Sequence, residues 1–226
     1  MYTIIFDMDG VLFDSENVDR KAWFGLAEKY NLKNIQQAFE ECIGSPDKNI
    51  ISVLNRYLKE NGVDMSGEEF RNETLEAFDE YVGKYGMPLK YYASECLSEL
   101  KKKGYRVGLA TSTPIERVRP QLTETGLIDY FDDIIGGGMF VHGKPDPEIF
   151  LMSCERLGGK PEKSIVIEDS FNGIRAAYSA GMKSIMVPDL LQPDDEIRQK
   201  AWKVLPDLKA VAELLTGDFC TENSIE

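Results

Sequence analysis

Short apolar runs alternate along the chain with longer stretches in which apolar positions recur every three or four residues. The short runs fall at Tyr2–Phe6, Val107–Ala110, Ile134–Ile135, Ile165–Ile167 and Ser184–Val187. Their β-branched content predicts strands. Helical spacing predicts helices over Cys96–Lys103, Ile115–Thr125, Pro147–Leu157 and Gly173–Ala180. Strands alternating with helices imply right-handed crossovers and an α/β fold, a doubly wound parallel sheet with a Rossmann-like core. Sheets of this type bind their ligands beyond the carboxyl ends of the strands.

Residues 15–87 break the rhythm. Four helical patterns, Asn17–Tyr30, Ile35–Glu41, Lys48–Glu60 and Gly67–Lys84, follow one another with no strand between them. Trp23, Leu26, Ala27 and Tyr30 share one helical face and read as core. An all-helical insertion placed just after the first strand is expected to form a cap over that strand's carboxyl end. Pro88 marks the return to the sheet. The expected organisation is a catalytic α/β domain of residues 1–14 and 88–226 and a helical cap domain of residues 15–87 that sets substrate specificity. The segment Thr216–Glu226 reads as frayed, and no repeat or low-complexity segment is present.

With 226 residues, 42% of them hydrophobic, the chain can bury a sizeable core. Lysines and arginines number 26 against 39 acids, a net charge of −13. That balance argues against nucleic acid or an anionic membrane as partner, since both need a positive surface. It also means that an anionic substrate would need a local reversal of the field, which a divalent cation with a lysine could provide. Cys42, Cys96, Cys154 and Cys220 are widely spaced and read as reduced thiols rather than a disulfide frame or zinc site. With no apolar run long enough to span a bilayer and no basic leader, the expectation is a soluble, cytoplasmic monomer.

The densest chemistry follows the first strand, in Asp7-Met8-Asp9-Gly10. Two carboxylates two residues apart repel unless a cation or shared proton joins them, so the pair suits a metal, acid–base work, or both. A calcium loop does not fit, because Val11 stands where the fifth-position oxygen ligand belongs. The second strand runs into Thr111-Ser112-Thr113-Pro114, read either as an anion-binding turn or as a helix cap followed by proline. Lys144 stands between Gly143 and Pro145 in a constrained loop, although a lone lysine is more often a solvated charge. His142, the single histidine, reads as a loop residue. Glu168 and Asp169 end an apolar strand, where carboxylates need a cation or several hydrogen bonds.

Taken together, Asp7-Met8-Asp9-Gly10-Val11-Leu12-Phe13-Asp14-Ser15, Thr111, Gly143-Lys144-Pro145-Asp146-Pro147-Glu148-Ile149-Phe150 and Glu168-Asp169-Ser170-Phe171-Asn172-Gly173-Ile174 resemble the haloacid dehalogenase superfamily. The likeness is to the helical-cap branch that includes β-phosphoglucomutase and phosphoglycolate phosphatase. It implies that Asp7 takes the phosphoryl group as an aspartyl-phosphate, and that Asp9 protonates the leaving oxygen and then activates water. Thr111, the N–H of Ser112 and Lys144 would hold the phosphoryl oxygens. Mg²⁺ would be bound by Asp7, the Asp9 carbonyl and Asp169, with Glu168 supporting its shell. Dehalogenases of the superfamily lack the second aspartate, so Asp9 points to phosphoryl transfer. The mutases carry a histidine where Asp19 falls and an arginine near Asp47, and the Pro-Gly start of the helix after the cap is replaced near Tyr91-Tyr92. The reading is therefore a Mg²⁺-dependent phosphatase of small phosphorylated metabolites, with a mutase as alternative and a non-catalytic phospho-ligand scaffold as a remote one. Ser15, Asp19 and Asp47 are substrate candidates in the cap, together with the 44–47 loop, Tyr81 and Tyr85.

Overall fold

A computed structural model describes residues 2–43 and 47–217, with the side chain of Asp47 left out. Six strands, β1 (Thr3–Phe6), β2 (Arg106–Pro114), β3 (Asp133–Gly137), β4 (Ser164–Glu168), β5 (Lys183–Met186) and β6 (Lys203–Val204), form one sheet. Their spatial order is β3-β2-β1-β4-β5-β6, and every pairing is parallel. The chain winds outward from β1 to β3, then crosses back to lay β4 on the other side of β1. The switch in winding direction thus falls between β1 and β4, where open α/β sheets bind ligands.

Ten α-helices are found among the described residues. They are α1 (Ser15–Lys29), α2 (Ile35–Cys42), α3 (Asp47–Glu60), α4 (Gly67–Tyr85), α5 (Ala93–Lys102), α6 (Ile115–Glu124), α7 (Glu148–Arg156), α8 (Phe171–Ser179), α9 (Asp195–Lys200) and α10 (Leu208–Thr216). Contacts divide the chain into two compact units, one of residues 1–14 and 88–226 and one of residues 15–87.

In the α/β unit, all four residues of β1 are buried, as expected of a central parallel strand covered on both faces. Ile5, Ala110, Ile135 and Val166 pack on one side with Ile149 and Phe150 of α7 and Ala176 and Ala177 of α8. At the boundary of this unit the Asp14 N–H donates to the Pro88 carbonyl (2.9 Å), and the Lys90 N–H donates to the Leu12 carbonyl (2.9 Å). The Lys90 ammonium meets Asp189 at 2.6 Å and Asp14 at 3.5 Å, tying the departing and returning segments to the end of β5.

In the helical unit, Trp23 of α1 meets Phe39 of α2 and Phe70 of α4 edge-on, at 5.4 and 5.9 Å between ring centres. Such T-shaped packing places the positive ring edge against a neighbour's negative face. Trp23, Leu26 and Ala27 are core residues as expected, but Tyr30 is only half-buried and donates its hydroxyl to Glu73 (2.7 Å). A capping box between Ser66 and Glu69 starts α4.

Three sequence readings are corrected. The stretch Thr111–Pro114 belongs to β2 rather than to a turn, and Pro114 stands before α6 with no side-chain cap. Helix α5 begins at Ala93, three residues before its expected start, with Tyr92 in the left-handed conformation at its N-cap (φ 65°). Three elements of the sheet layer were not foreseen, β6, α9 and α10, the two helices each capped by an aspartate, Asp194 and Asp207. Cys42, Cys96 and Cys154 are buried free thiols. Cys220, residues 44–46 and the segment 218–226 lie outside the described residues. No described helix is long and apolar enough to cross a membrane.

Candidate active site

Register brings the site together. Phe6 pairs with Leu109 of β2 and with Ile167 of β4, so the next residue, Asp7, falls level with Ala110 and Glu168. The Asp7 N–H donates to the Ile167 carbonyl at 2.9 Å and carries the ladder one residue past the strand. Beyond it the chain folds into a tight loop, in which the Leu12 and Phe13 N–H groups donate to the Met8 carbonyl and the Gly10 N–H donates to the Phe13 carbonyl. Gly10 has φ +73°, and a Cβ there would lie 2.2 Å from Asp169 Oδ2. Only glycine supplies both this conformation and room for the Asp169 carboxylate.

Lys144 reaches across from the loop before α7. Its Nζ donates to Asp7 Oδ1 (2.6 Å) and to Glu168 Oε1 (2.7 Å), and sits 5.0 Å from the centre of the buried Phe150 ring. The three charged side chains are 9%, 10% and 0% exposed, so this lysine is not a solvated charge. Burial works against the ammonium, but Asp7 and Glu168 outweigh it and raise its pKa. Burial dominates at Asp7 and, with Glu168 and Asp9 nearby, pushes its carboxyl up to about 7 against the pull of Lys144. The second Glu168 oxygen accepts from the Ser170 N–H (2.6 Å), so both oxygens of this fully buried side chain are engaged.

Asp9 is held separately. Thr113 Oγ1 donates to Asp9 Oδ2 at 2.6 Å, Thr111 Oγ1 approaches the same oxygen at 3.4 Å, and the Thr113 N–H donates to Thr111 Oγ1 at 3.1 Å. Thr113 is the functional candidate that sequence reading missed. Its signal was present: once β2 runs on past Ala110 to Pro114, Thr111 and Thr113 are at i and i+2 and share a face. Thr111 is buried, whereas Ser112 between them is exposed.

Two acid-rich groups among the described residues have ligand atoms within 4.8 Å of one another, Asp7/Glu168/Asp169 and His142/Asp146/Glu148. The first lies at the carboxyl ends of the central strands β1 and β4 and offers hard oxygen donors that suit a divalent cation such as Mg²⁺. The oxygens of the second are used by backbone N–H groups of their own loop.

The remaining candidates belong to the helical unit and are described within it. Ser15 is the buried first residue of α1. Asp19 accepts from Arg71 of α4 at 3.1 Å, in a pair whose side chains are 23% and 17% exposed. Tyr81 packs against Tyr85 with the rings tilted by 49° and their centres 5.0 Å apart, and carries the Lys21 ammonium over its ring. Asp47 opens α3.

Comparison with known proteins identifies the family. The family model for haloacid dehalogenase-like hydrolases matches residues 1–181. A phosphorylated carbohydrates phosphatase of Thermotoga maritima is 35% identical over 190 residues, covering 82% of this chain and 84% of that one. The fructose-1-phosphate phosphatase YqaB of Escherichia coli is 31% identical over 184 residues, covering 81% and 95%. Among solved structures, a Thermotoga maritima protein described as a candidate β-phosphoglucomutase superposes with a TM-score of 0.79 at 30% identity, covering 95% of this chain and 98% of that one. From its strand order to the carboxylates at the switch point, the chain belongs to the haloacid dehalogenase-like hydrolase family.

Proposed function

We propose that this protein is a Mg²⁺-dependent phosphatase that hydrolyses small phosphorylated metabolites, sugar phosphates foremost, through an aspartyl-phosphate on Asp7. The observation that carries the reading is the Asp7–Lys144–Glu168 arrangement, with bonds of 2.6 and 2.7 Å in a buried site at the switch point. The names of the Thermotoga maritima and Escherichia coli relatives support the substrate class.

In the first half-reaction an Asp7 carboxylate oxygen attacks phosphorus, and the bond from phosphorus to the ester oxygen breaks as Asp9 gives that oxygen its proton. In the second, Asp9 takes a proton from water as the water oxygen attacks phosphorus. The bond to Asp7 then breaks, releasing inorganic phosphate and restoring the carboxylate. The covalent intermediate divides a very slow displacement into two easier steps. Lys144 faces the developing charge on the transferred oxygens, and the Thr111 hydroxyl and Ser112 N–H offer further donors. Thr113 aims Asp9.

Charge balance argues for the cation. Asp7, Asp9, Glu168 and Asp169 bring four carboxyl groups to a site in which Lys144 pairs with Asp7 and Glu168, an acidic environment unfavourable to a phosphate dianion. Asp7, Asp169 and the Asp9 carbonyl would hold Mg²⁺, with Glu168 supporting them, and Gly10 leaves the space in which Asp169 approaches. When bound, the ion supplies positive charge to the transferred phosphoryl group and favours the ionised form of Asp7.

A mutase is the second reading, favoured by the structural likeness to the candidate β-phosphoglucomutase. The test is phosphate release from a panel of small monoesters, including fructose 1-phosphate, β-glucose 1-phosphate and phosphoglycolate, with and without Mg²⁺. Mg²⁺-dependent release is expected. No release, with β-glucose 1-phosphate converted to glucose 6-phosphate once a bisphosphate primer is added, would replace the phosphatase by the mutase.

A further inference from the structure

The loop that delivers Lys144 is closed on itself by one side chain. The Glu148 carboxylate accepts from the Val141 N–H through Oε1 (2.9 Å), and from the His142 N–H and His142 Nδ1 through Oε2 (both 2.8 Å). Asp146 Oδ1 in turn accepts the Glu148 N–H (2.9 Å), and the Asp146 N–H donates to the Gly143 carbonyl (3.0 Å). Residues 141 to 148 therefore form a ring of hydrogen bonds with Lys144 at its turn. The base of the ring is anchored, because Glu148 opens α7, whose Ile149 and Phe150 are fully buried.

We propose that Glu148 is a positioning residue for Lys144, its carboxylate latching the 141–148 loop so that the ammonium is presented between Asp7 and Glu168. The inference rests on the phosphatase reading above for its kinetic consequence, but not for its structural one.

The physics favours Glu148 over its neighbours in this role. Two backbone donors and a ring nitrogen converge on one carboxylate at a helix N-terminus, where negative charge is favoured, and bonds to an ionised acceptor are the stronger kind. The Val141 and His142 N–H groups, followed by the imidazole, hold the Glu148 carboxyl below its ordinary range. The flanks of the loop have little else to hold them, since Val141 is 82% exposed and the His142 side chain 68%. Lysine carries several rotatable bonds, so its head is placed only as well as its backbone is fixed.

The test compares wild type with Glu148→Gln, which keeps the shape but turns an amide N–H₂ toward one of the two backbone donors. Two readouts are followed: kcat, and the lysine ammonium signal of Lys144 in ¹H–¹⁵N spectra, assigned by its disappearance in Lys144→Arg. Buried between two carboxylates, this ammonium is expected to exchange slowly enough to be seen in wild type. In Glu148→Gln the signal is expected to broaden away or shift, and kcat to fall about 10- to 100-fold, the scale of an ångström-level misplacement of a catalytic group. KM should move by less than about threefold, and the melting temperature should fall by only several degrees, leaving the variant folded under assay conditions. His142→Ala, which removes only the exposed ring, should keep both readouts near wild type. If Glu148→Gln does not fold, Glu148→Asp replaces it; its shorter carboxylate cannot span both N–H groups and should show the same losses, smaller in size.

The proposal is overturned if the Lys144 signal stays in place, if it is lost while kcat is retained, or if activity falls only together with global stability. A wild-type chain that releases no phosphate from any ester sinks the phosphatase reading instead, and the Lys144 signal alone then decides on the latch.

Discussion

Gly173 sits in the first turn of α8, where helix propensity and local packing make opposite predictions for Gly173→Ala. Propensity alone favours alanine over glycine in a helix by about 1 kcal/mol. Packing says otherwise, because a Cβ at this position would lie 1.8 Å from Glu168 Oε1 and 1.9 Å from its carboxyl carbon. An ordinary contact needs roughly twice that separation. The carboxylate cannot withdraw without cost, since it is fully buried and its two oxygens bond to Lys144 (2.7 Å) and the Ser170 N–H (2.6 Å). Hydrogen bonds to charged groups contribute about 1.5–3 kcal/mol each. Losing both against the propensity gain leaves a net destabilisation of about 2–5 kcal/mol, so the steric effect wins. The assay is urea unfolding followed through Trp202, in a Trp23→Phe background so that only the α/β unit reports, with phosphate release in parallel. Activity should fall with stability, because the displaced carboxylate also releases one anchor of Lys144. Gly25→Ala in α1, where a Cβ would meet nothing within 4 Å, is the control, read through Trp23 in a Trp202→Phe background because it lies in the helical unit, and should gain about 0.5–1 kcal/mol. If Gly173→Ala is as stable and as active as wild type, the assigned role of the Glu168 carboxylate is wrong.

Further outcomes follow from the same geometry. Asp7→Asn should abolish phosphate release while leaving the circular dichroism spectrum unchanged; turnover at a tenth of wild type would remove Asp7 as nucleophile. Thr113→Val should lower kcat about tenfold with little change in KM, read from initial rates, because the 2.6 Å bond that aims Asp9 is lost while the groups facing phosphate stay. Chelation with EDTA should stop turnover, and added Mg²⁺ should restore it; full activity after exhaustive chelation would refute the cation's role. The Cys96 thiol, pushed up to about 12 by burial and then by Glu99, should react with a thiol-specific disulfide reagent at pH 8 only as fast as the native fold opens. Rapid modification of Cys96, located by peptide mapping, would contradict its burial.

What the sequence disclosed and what it withheld divide along a physical line. The β-branched runs announced β1, β2, β4 and β5 because strands covered on both faces are mostly apolar, and the acids that follow β1 and end β4 then stand out. Asp7, Glu168 and Asp169 were legible for the same reason, since charge at the end of an apolar strand has few structural uses, whereas Lys144 stood out only through the resemblance of its motif to the family's. The partners that place those groups were not legible. Thr113 was hidden because a threonine before proline is as good a cap as a strand residue, and only the parallel pairing of Pro114 with Gly137 shows that β2 runs on. Glu148 was hidden because an acid in the first turn of a helix is ordinary, and nothing in the order of residues says that its carboxylate turns back to Val141 and His142. Arg71 was hidden because its partner Asp19 is 52 positions away on another helix. Chemistry is thus written in residue types at strand ends, which a single sequence displays. Aim is written in hydrogen bonds to neighbours, which depend on where β2 stops and how the 141–148 loop closes. Replacing Thr113 or Glu148 should therefore lower kcat while leaving the fold intact, and comparing each with Asp7→Asn separates the groups that react from the groups that aim them.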